Sequence, residues 1–159
     1  MELYLLRHGI AEDARPGASD STRELTAEGR EKTAAVLKLA RQGGVSPSLI
    51  LSSPYLRAHQ TAKIAAQELD HNEDLEFTDA LLPHGTPEKV WAELRDRADE
   101  PAILLASHEP LLGTLVAYLL NAPSLRIDMK KAALVRIDME SIRAVPHGVL
   151  RWMLVPKLA

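Results

Sequence analysis

Three short, uninterrupted apolar runs, each followed by a helical pattern, restrict the fold of this chain more than any other feature. Leu3–Leu6, Leu49–Leu51 and Ala102–Ala106 have no polar alternation, which is how a parallel strand reads when both of its faces are covered. Thr26 can cap a helix in which Thr33, Val36, Leu37 and Ala40 recur at i, i+3, i+4 and i+7, and Gly43-Gly44 ends it. After the second run, Ser53 reads as a cap and Pro54 as the first helical residue. That helix is predicted to reach about Leu69, burying Thr61, Ile64, Ala65 and Leu69.

Phe77 falls in a short strand, and Val90, Trp91, Leu94 and Ala98 give the next helix an apolar face. Ser107 reads as the cap of a helix carrying Leu111, Leu112, Leu115, Val116 and Leu119. Beyond Pro123 the period becomes two: Ala133, Val135, Ile137 and Met139 alternate with Leu134, Arg136 and Asp138, and Val149–Val155 makes a last strand. Strands alternating with helices predict one α/β domain over residues 1–159. Its three α/β/α layers surround a mostly parallel sheet, with an antiparallel edge from the last strands.

Composition removes several classes of function. No cysteine is present among the 159 residues, so disulfide, thiol and thiolate-metal chemistry are excluded. A net charge of −3 with both signs interspersed gives no global attraction to nucleic acid or acidic membranes. The first residues lack the apolar core of a signal peptide, and no run approaches the roughly 20 apolar residues of a membrane span. The expected location is the cytoplasm.

The chemistry gathers where the apolar runs stop. Arg7-His8-Gly9 follows the first, Arg57 sits in the first helical turn after the second, and His108 follows the third. Ligands of open α/β sheets sit beyond the carboxyl ends of the strands. If the three strands are neighbours, these side chains converge there with two helix amino termini. Such a pocket suits a dianion, because arginine offers a planar fork for phosphate oxygens and helix ends add free N–H groups. Imidazole is the one plausible nucleophile in the cluster. A neutral ring with a free nitrogen can take a phosphoryl group and release it to water.

Leu5-Leu6-Arg7-His8-Gly9 resembles the signature of the histidine phosphatase superfamily, which includes the cofactor-dependent phosphoglycerate mutases. Leu51-Ser52-Ser53-Pro54-Tyr55-Leu56-Arg57-Ala58-His59-Gln60-Thr61-Ala62 is similar to its second motif, and Ser107-His108 to its third. The likeness is greatest to the small SixA-type phosphohistidine phosphatases. Supporting segments are Arg23–Gly29, Leu82-Pro83-His84-Gly85, Lys131–Leu134 and Leu150-Arg151-Trp152. The resemblance implies a phosphoglycerate mutase-like fold, His8 as the phosphorylated nucleophile, and Arg7, Arg57 and His108 as ligands of the phosphoryl group. Gly9 and His84 join them as candidate substrate-binding residues.

Mutases and ester phosphatases of that superfamily carry an acid in a Leu-x-Glu pattern after the third strand. Asp79-Ala80-Leu81-Leu82-Pro83-His84-Gly85 has no carboxylate at that point. That acid protonates a departing alkoxide, a step worth about 10²–10⁴ in rate. Imidazole is a far better leaving group, so its absence favours phosphohistidine as substrate. Asp13, Asp20, His84 and Glu109 remain alternative proton donors. About thirty residues between the Arg57 helix and the third run leave little room for a lid, which suits a histidine displayed by a phosphotransfer protein.

A metabolite phosphomonoesterase and a non-catalytic phosphoanion-binding module are the competing readings. No cofactor is expected. No metal is expected either, since arginines flank the two histidines and no carboxylate completes a ligand set. His59, His71 and His147 read as surface or turn residues.

Overall fold

The computed structural model describes all 159 residues, Met1–Ala159. Its strands are β1 (Glu2–Arg7), β2 (Leu49–Ser52), β3 (Glu76–Phe77), β4 (Ala102–Ser107), β5 (Leu134–Met139) and β6 (Gly148–Leu154). Its helices are α1 (Ala27–Gln42), α2 (Leu56–Glu68), α3 (Pro87–Arg95) and α4 (Leu111–Leu119). Short 3₁₀ turns occupy Asp20–Thr22, Asp79–Leu81 and Pro156–Leu158.

One six-stranded sheet runs in the order β3-β2-β4-β1-β5-β6. β3, β2, β4 and β1 are mutually parallel, while β5 and β6 add an antiparallel edge. The three apolar runs are therefore neighbours, with β4 between β2 and β1. Their side chains alternate between two cores. Leu3, Leu5, Leu49, Leu51, Ile103 and Leu105 face Trp91 and Leu94 of α3 and Leu112 and Leu115 of α4. Tyr4, Leu6, Ile50, Leu104 and Ala106 face Val36 and Leu37 of α1 and Ala62 and Ala65 of α2. Each such Leu or Ile contributes about 1.5–3 kcal/mol by leaving water, which explains why both faces of these strands read as apolar.

Thr26 caps α1 as predicted, its side chain accepting the Gly29 N–H, and Gly43 ends the helix. Four predicted details are corrected. α2 starts at Leu56 with Tyr55 at the cap, not at Pro54, and α4 starts after Pro110 without a side-chain cap. Ser53 and Ser107 cap neither helix, because strand pairing extends past them: the Ser53 N–H donates to Ala106 O, and Ser107 stays within β4 with its hydroxyl donating to Leu81 O. Ala98 lies beyond the end of α3 and is exposed, while Ile64 is only partly buried.

Two glycines permit a close approach beside the first strand. A Cβ on Gly29 would lie 2.1 Å from Ile10 O, and one on Gly9 would lie 2.6 Å from Thr33 Oγ1. The segment leaving β1 is thus pressed onto the first turns of α1, which fixes the direction of the chain at His8.

Candidate active site

Strand register builds the site. β1 and β4 pair in parallel with Arg7 opposite Ser107, so the next residues, His8 and His108, emerge side by side. The His8 N–H donates to Ser107 O at 3.0 Å, and the two imidazole centroids are 5.0 Å apart. β2 pairs with the other edge of β4, with Ser52 opposite Ala106, which places Ser53 beside His108. Arg57 enters from the first turn of α2 and is 5% exposed; His8 and His108 are 7% and 1% exposed. The structure thus brings together Arg57, His8 and His108, with Arg7 at the end of β1.

The two rings are tethered by opposite nitrogens. His8 Nδ1 lies 2.7 Å from the Gly9 carbonyl oxygen, which fixes the proton on Nδ1 and leaves a lone pair on Nε2. Arg57 Nε donates toward that Nε2 at 3.3 Å. His108 instead uses Nε2, 2.8 Å from the Ser53 hydroxyl, while its Nδ1 is buried without a partner. Tyr55 sets its ring edge-on to His108 at 5.4 Å and receives the Arg57 guanidinium over its face at 5.0 Å.

Electrostatics keep both rings neutral. Burial, together with the positive charge of Arg57 and Arg7, holds His8 down at about 4 although the Gly9 carbonyl pulls the other way. Burial holds His108 down at about 3, helped by His8 and Arg57. An uncharged His8, its Nε2 lone pair met only by the long Arg57 Nε–H contact, can attack an electrophilic phosphorus while the neighbouring guanidinium holds the oxygens of the transferred group.

Arg57 is itself held. Nη1 donates to the Asp20 carbonyl at 2.7 Å and Nη2 to Asp20 Oδ2 at 2.9 Å. Each terminal nitrogen keeps a second N–H for a ligand. Asp20 comes from the long loop after β1. In the sequence it stands only among four alternative proton donors, and nothing there signals its contact with Arg57. Ser53, Tyr55 and Thr61 are further residues that sequence reasoning did not assign to the site. Thr61 Oγ1 accepts the Gly9 N–H at 3.2 Å. Gly9 therefore serves the cluster through its carbonyl, on His8, because its N–H is already engaged.

The structure places His84 elsewhere. It is exposed on the loop after Asp79–Leu81 and lines a cavity of about 750 Å³ with Phe77, Thr78, Asp79 and Lys89, in which none of Arg7, His8, Arg57 or His108 takes part. Arg7 directs Nη1 to the Met129 carbonyl oxygen, and its Nε is buried without a partner. Next to His108, Glu109 is pushed up by burial, and its Oε2 accepts the Gly113 N–H. His59 sets its ring edge-on to Phe77, and His147 is exposed in the loop before β6. No group of three or more His, Asp or Glu residues could hold a metal ion.

This α/β/α frame, with imidazoles and an arginine at adjacent strand ends, defines a class of phosphoryl-handling enzyme. A sequence profile of the histidine phosphatase superfamily (branch 1) matches residues 3–82, and the chain belongs to that superfamily. Within it the chain is a SixA-like phosphatase. The phosphohistidine phosphatase SixA of Escherichia coli K12 is 35% identical over 121 residues, covering 75% of this chain and 74% of that one. An uncharacterised protein of Picosynechococcus is 34% identical over 151 residues, 92% of this chain and 90% of its own. The solved structure of the histidine phosphatase SixA with tungstate superposes with a TM-score of 0.87 at 31% identity, over 99% of this chain and 98% of that one. An α-ribazole phosphatase from Shigella flexneri shares the fold, with a TM-score of 0.77 at 21% identity over 98% and 97% of the two chains.

Proposed function

We propose that this protein removes the phosphoryl group from a phosphohistidine displayed by a phosphotransfer protein in the cytoplasm, passing it through His8. The observation that carries this reading is the His8 ring itself. It is neutral, its proton is fixed on Nδ1 by the Gly9 carbonyl, and its Nε2 lone pair lies against Arg57.

In the first step His8 Nε2 forms a bond to phosphorus as the bond to the substrate ring breaks. Arg57 offers its remaining terminal N–H groups to the phosphoryl oxygens, Arg7 supplies a second guanidinium, and the unpaired Nδ1 of His108 is the group left over for a third contact. Charge arriving with the phosphoryl dianion favours protonation of His108, so this ring gains positive charge as the substrate brings negative charge. In the second step water attacks phosphorus, the electron pair returns to Nε2, and phosphate leaves. No metal or cofactor is required for either step.

Two features support phosphohistidine over a phosphate ester. The segment from Asp79 to Gly85 places Ala80 and Leu81 inward as buried apolar residues and turns Asp79 into the neighbouring cavity, so it brings no carboxylate to His8. The span from α2 to β4 holds only β3, a 3₁₀ turn and α3, without an inserted lid. The site then stays open to a side chain presented by another protein. No helix is long and apolar enough to cross a membrane.

The test compares kcat/KM on a phosphohistidine-bearing phosphotransfer protein with that on a small alkyl phosphate. A preference of at least about 10²-fold for the phosphohistidine protein is expected, on the scale of one general acid. Preference for the ester would move the protein to the metabolite phosphatases.

A further inference from the structure

The Asp20 carboxylate stands at the mouth of the site in an arrangement that the retention of Arg57 alone does not explain. Its side chain is 52% exposed, whereas that of the arginine it binds is 6% exposed. Oδ1 accepts Arg23 Nη1 at 2.9 Å and Oδ2 accepts Arg57 Nη2 at 2.9 Å. Each oxygen keeps a second lone-pair direction for another donor. Arg23 and Arg57 hold the carboxyl in its charged form, well below the usual carboxylate range. Through Arg57 it adjoins His8, whose Nε2 the same guanidinium reaches, and its charge is felt at His108.

A phosphoryl group moving from one imidazole to another needs the same support on both sides. When the P–N bond breaks, the electron pair goes to the ring nitrogen that is released. If the distal nitrogen carries a proton, the ring departs as neutral imidazole; if it does not, the ring must depart as a strongly basic imidazolide. On the enzyme's side this is already provided, because the Gly9 carbonyl keeps the proton on His8 Nδ1 while Nε2 is the reacting atom. The substrate ring needs an equivalent acceptor, and it must lie at the open end of the site.

We propose that Asp20 is that acceptor: its carboxylate receives the distal N–H of the substrate's imidazole, and so selects phosphohistidine over phosphate esters. The inference rests on the phosphohistidine reading above. No proton is transferred to or from Asp20 during the step. His8 Nε2 bonds to phosphorus, the substrate P–N bond breaks with its pair on nitrogen, and the distal proton stays on the departing ring. An alkyl or aryl phosphate has no such N–H and gains nothing from the carboxylate.

The experiment measures kcat/KM of the full chain and of Asp20→Asn on N-phosphoimidazole and on 4-nitrophenyl phosphate, between pH 5 and 9. Asn has the same shape and keeps one side-chain acceptor oxygen and the backbone carbonyl that holds Arg57 Nη1. Loss of Arg57 alignment would lower both activities together, so the ratio of the two is the readout. The expected result is a fall of roughly tenfold or more in the ratio, with the alkaline limb of kcat on N-phosphoimidazole, which reports the bound complex, moving to lower pH as the substrate ring loses its anionic acceptor. N-phosphoryl-N′-methylimidazolium, which has a fixed charge and no N–H, should show a smaller loss than N-phosphoimidazole. An unchanged ratio and unchanged limb in Asp20→Asn would overturn the proposal even if the parent protein prefers N-phosphoimidazole. If the parent prefers the ester, the phosphohistidine reading fails first, and the role of Asp20 fails with it.

Discussion

The ends of β1 and β4 present the same side chain, 5.0 Å apart, and prepare it for different work. At the end of β1 a backbone carbonyl takes Nδ1 and leaves Nε2 facing a guanidinium. At the end of β4 a serine hydroxyl takes Nε2 and leaves Nδ1 unmatched. A carbonyl can only accept, so it fixes one tautomer and creates a nucleophile. A hydroxyl can donate or accept, so His108 is free to change protonation when a charged ligand arrives. In the proposed mechanism the difference between nucleophile and ligand is thus set by the partner of each ring, not by the ring.

The largest effect should come from His8→Ala. Loss of the nucleophile is expected to lower kcat by at least about 10⁴-fold, with an unchanged circular dichroism spectrum. Activity within about tenfold of the parent would mean that the two strand ends are interchangeable. His108→Ala should cost about 10²–10³-fold, as removal of one charge-stabilising donor does, yet still form phosphoenzyme on His8. Equal losses in the two variants, with no phosphoenzyme in either, would erase the distinction.

Stability against pH checks the shared property of the pair. The folded protein holds His8 at about 4 and His108 at about 3, below the 6.5 of an unperturbed ring. Between those values the unfolded chain binds more protons than the folded one, so stability rises with pH. It should be complete above about pH 6.5 and fall by a few kcal/mol as pH drops toward 4 and then 3. Urea titrations of the parent and of His108→Asn would measure this, and the variant should show the flatter profile.

Ser53→Ala removes the tether of His108 together with the acceptor of the Tyr55 N–H. About a tenfold loss in kcat/KM is expected, the value of one hydrogen bond of roughly 1.4 kcal/mol. His147→Ala, exposed in the loop before β6, should change activity less than about twofold.

The sequence revealed much of this arrangement because the information is local. Apolar runs without alternation announce covered parallel strands, and Arg7, His8, Arg57 and His108 sit directly at or just after their ends. What stayed hidden depends on long-range pairing. Ser53-Pro54 carries a genuine helix-start signal, but β4 pairing holds Ser53 beside His108 and delays α2 to Leu56. Asp20 lies in a polar stretch with no periodicity, and its contact with Arg57 joins residues 37 apart. His84 is the opposite case. It follows the right segment, yet spacing cannot say which way a turn points, and the structure directs it to the adjoining cavity.

The central claim is that His8, and not its neighbour, carries the phosphoryl group. Rapid-quench mass spectrometry of the protein during turnover of N-phosphoimidazole tests it most directly. The account predicts a phosphoryl group on the His8 peptide, appearing and decaying at rates that support turnover, and absent in His8→Ala. A phosphoryl group on the His108 peptide, or steady turnover with none on either, would contradict it.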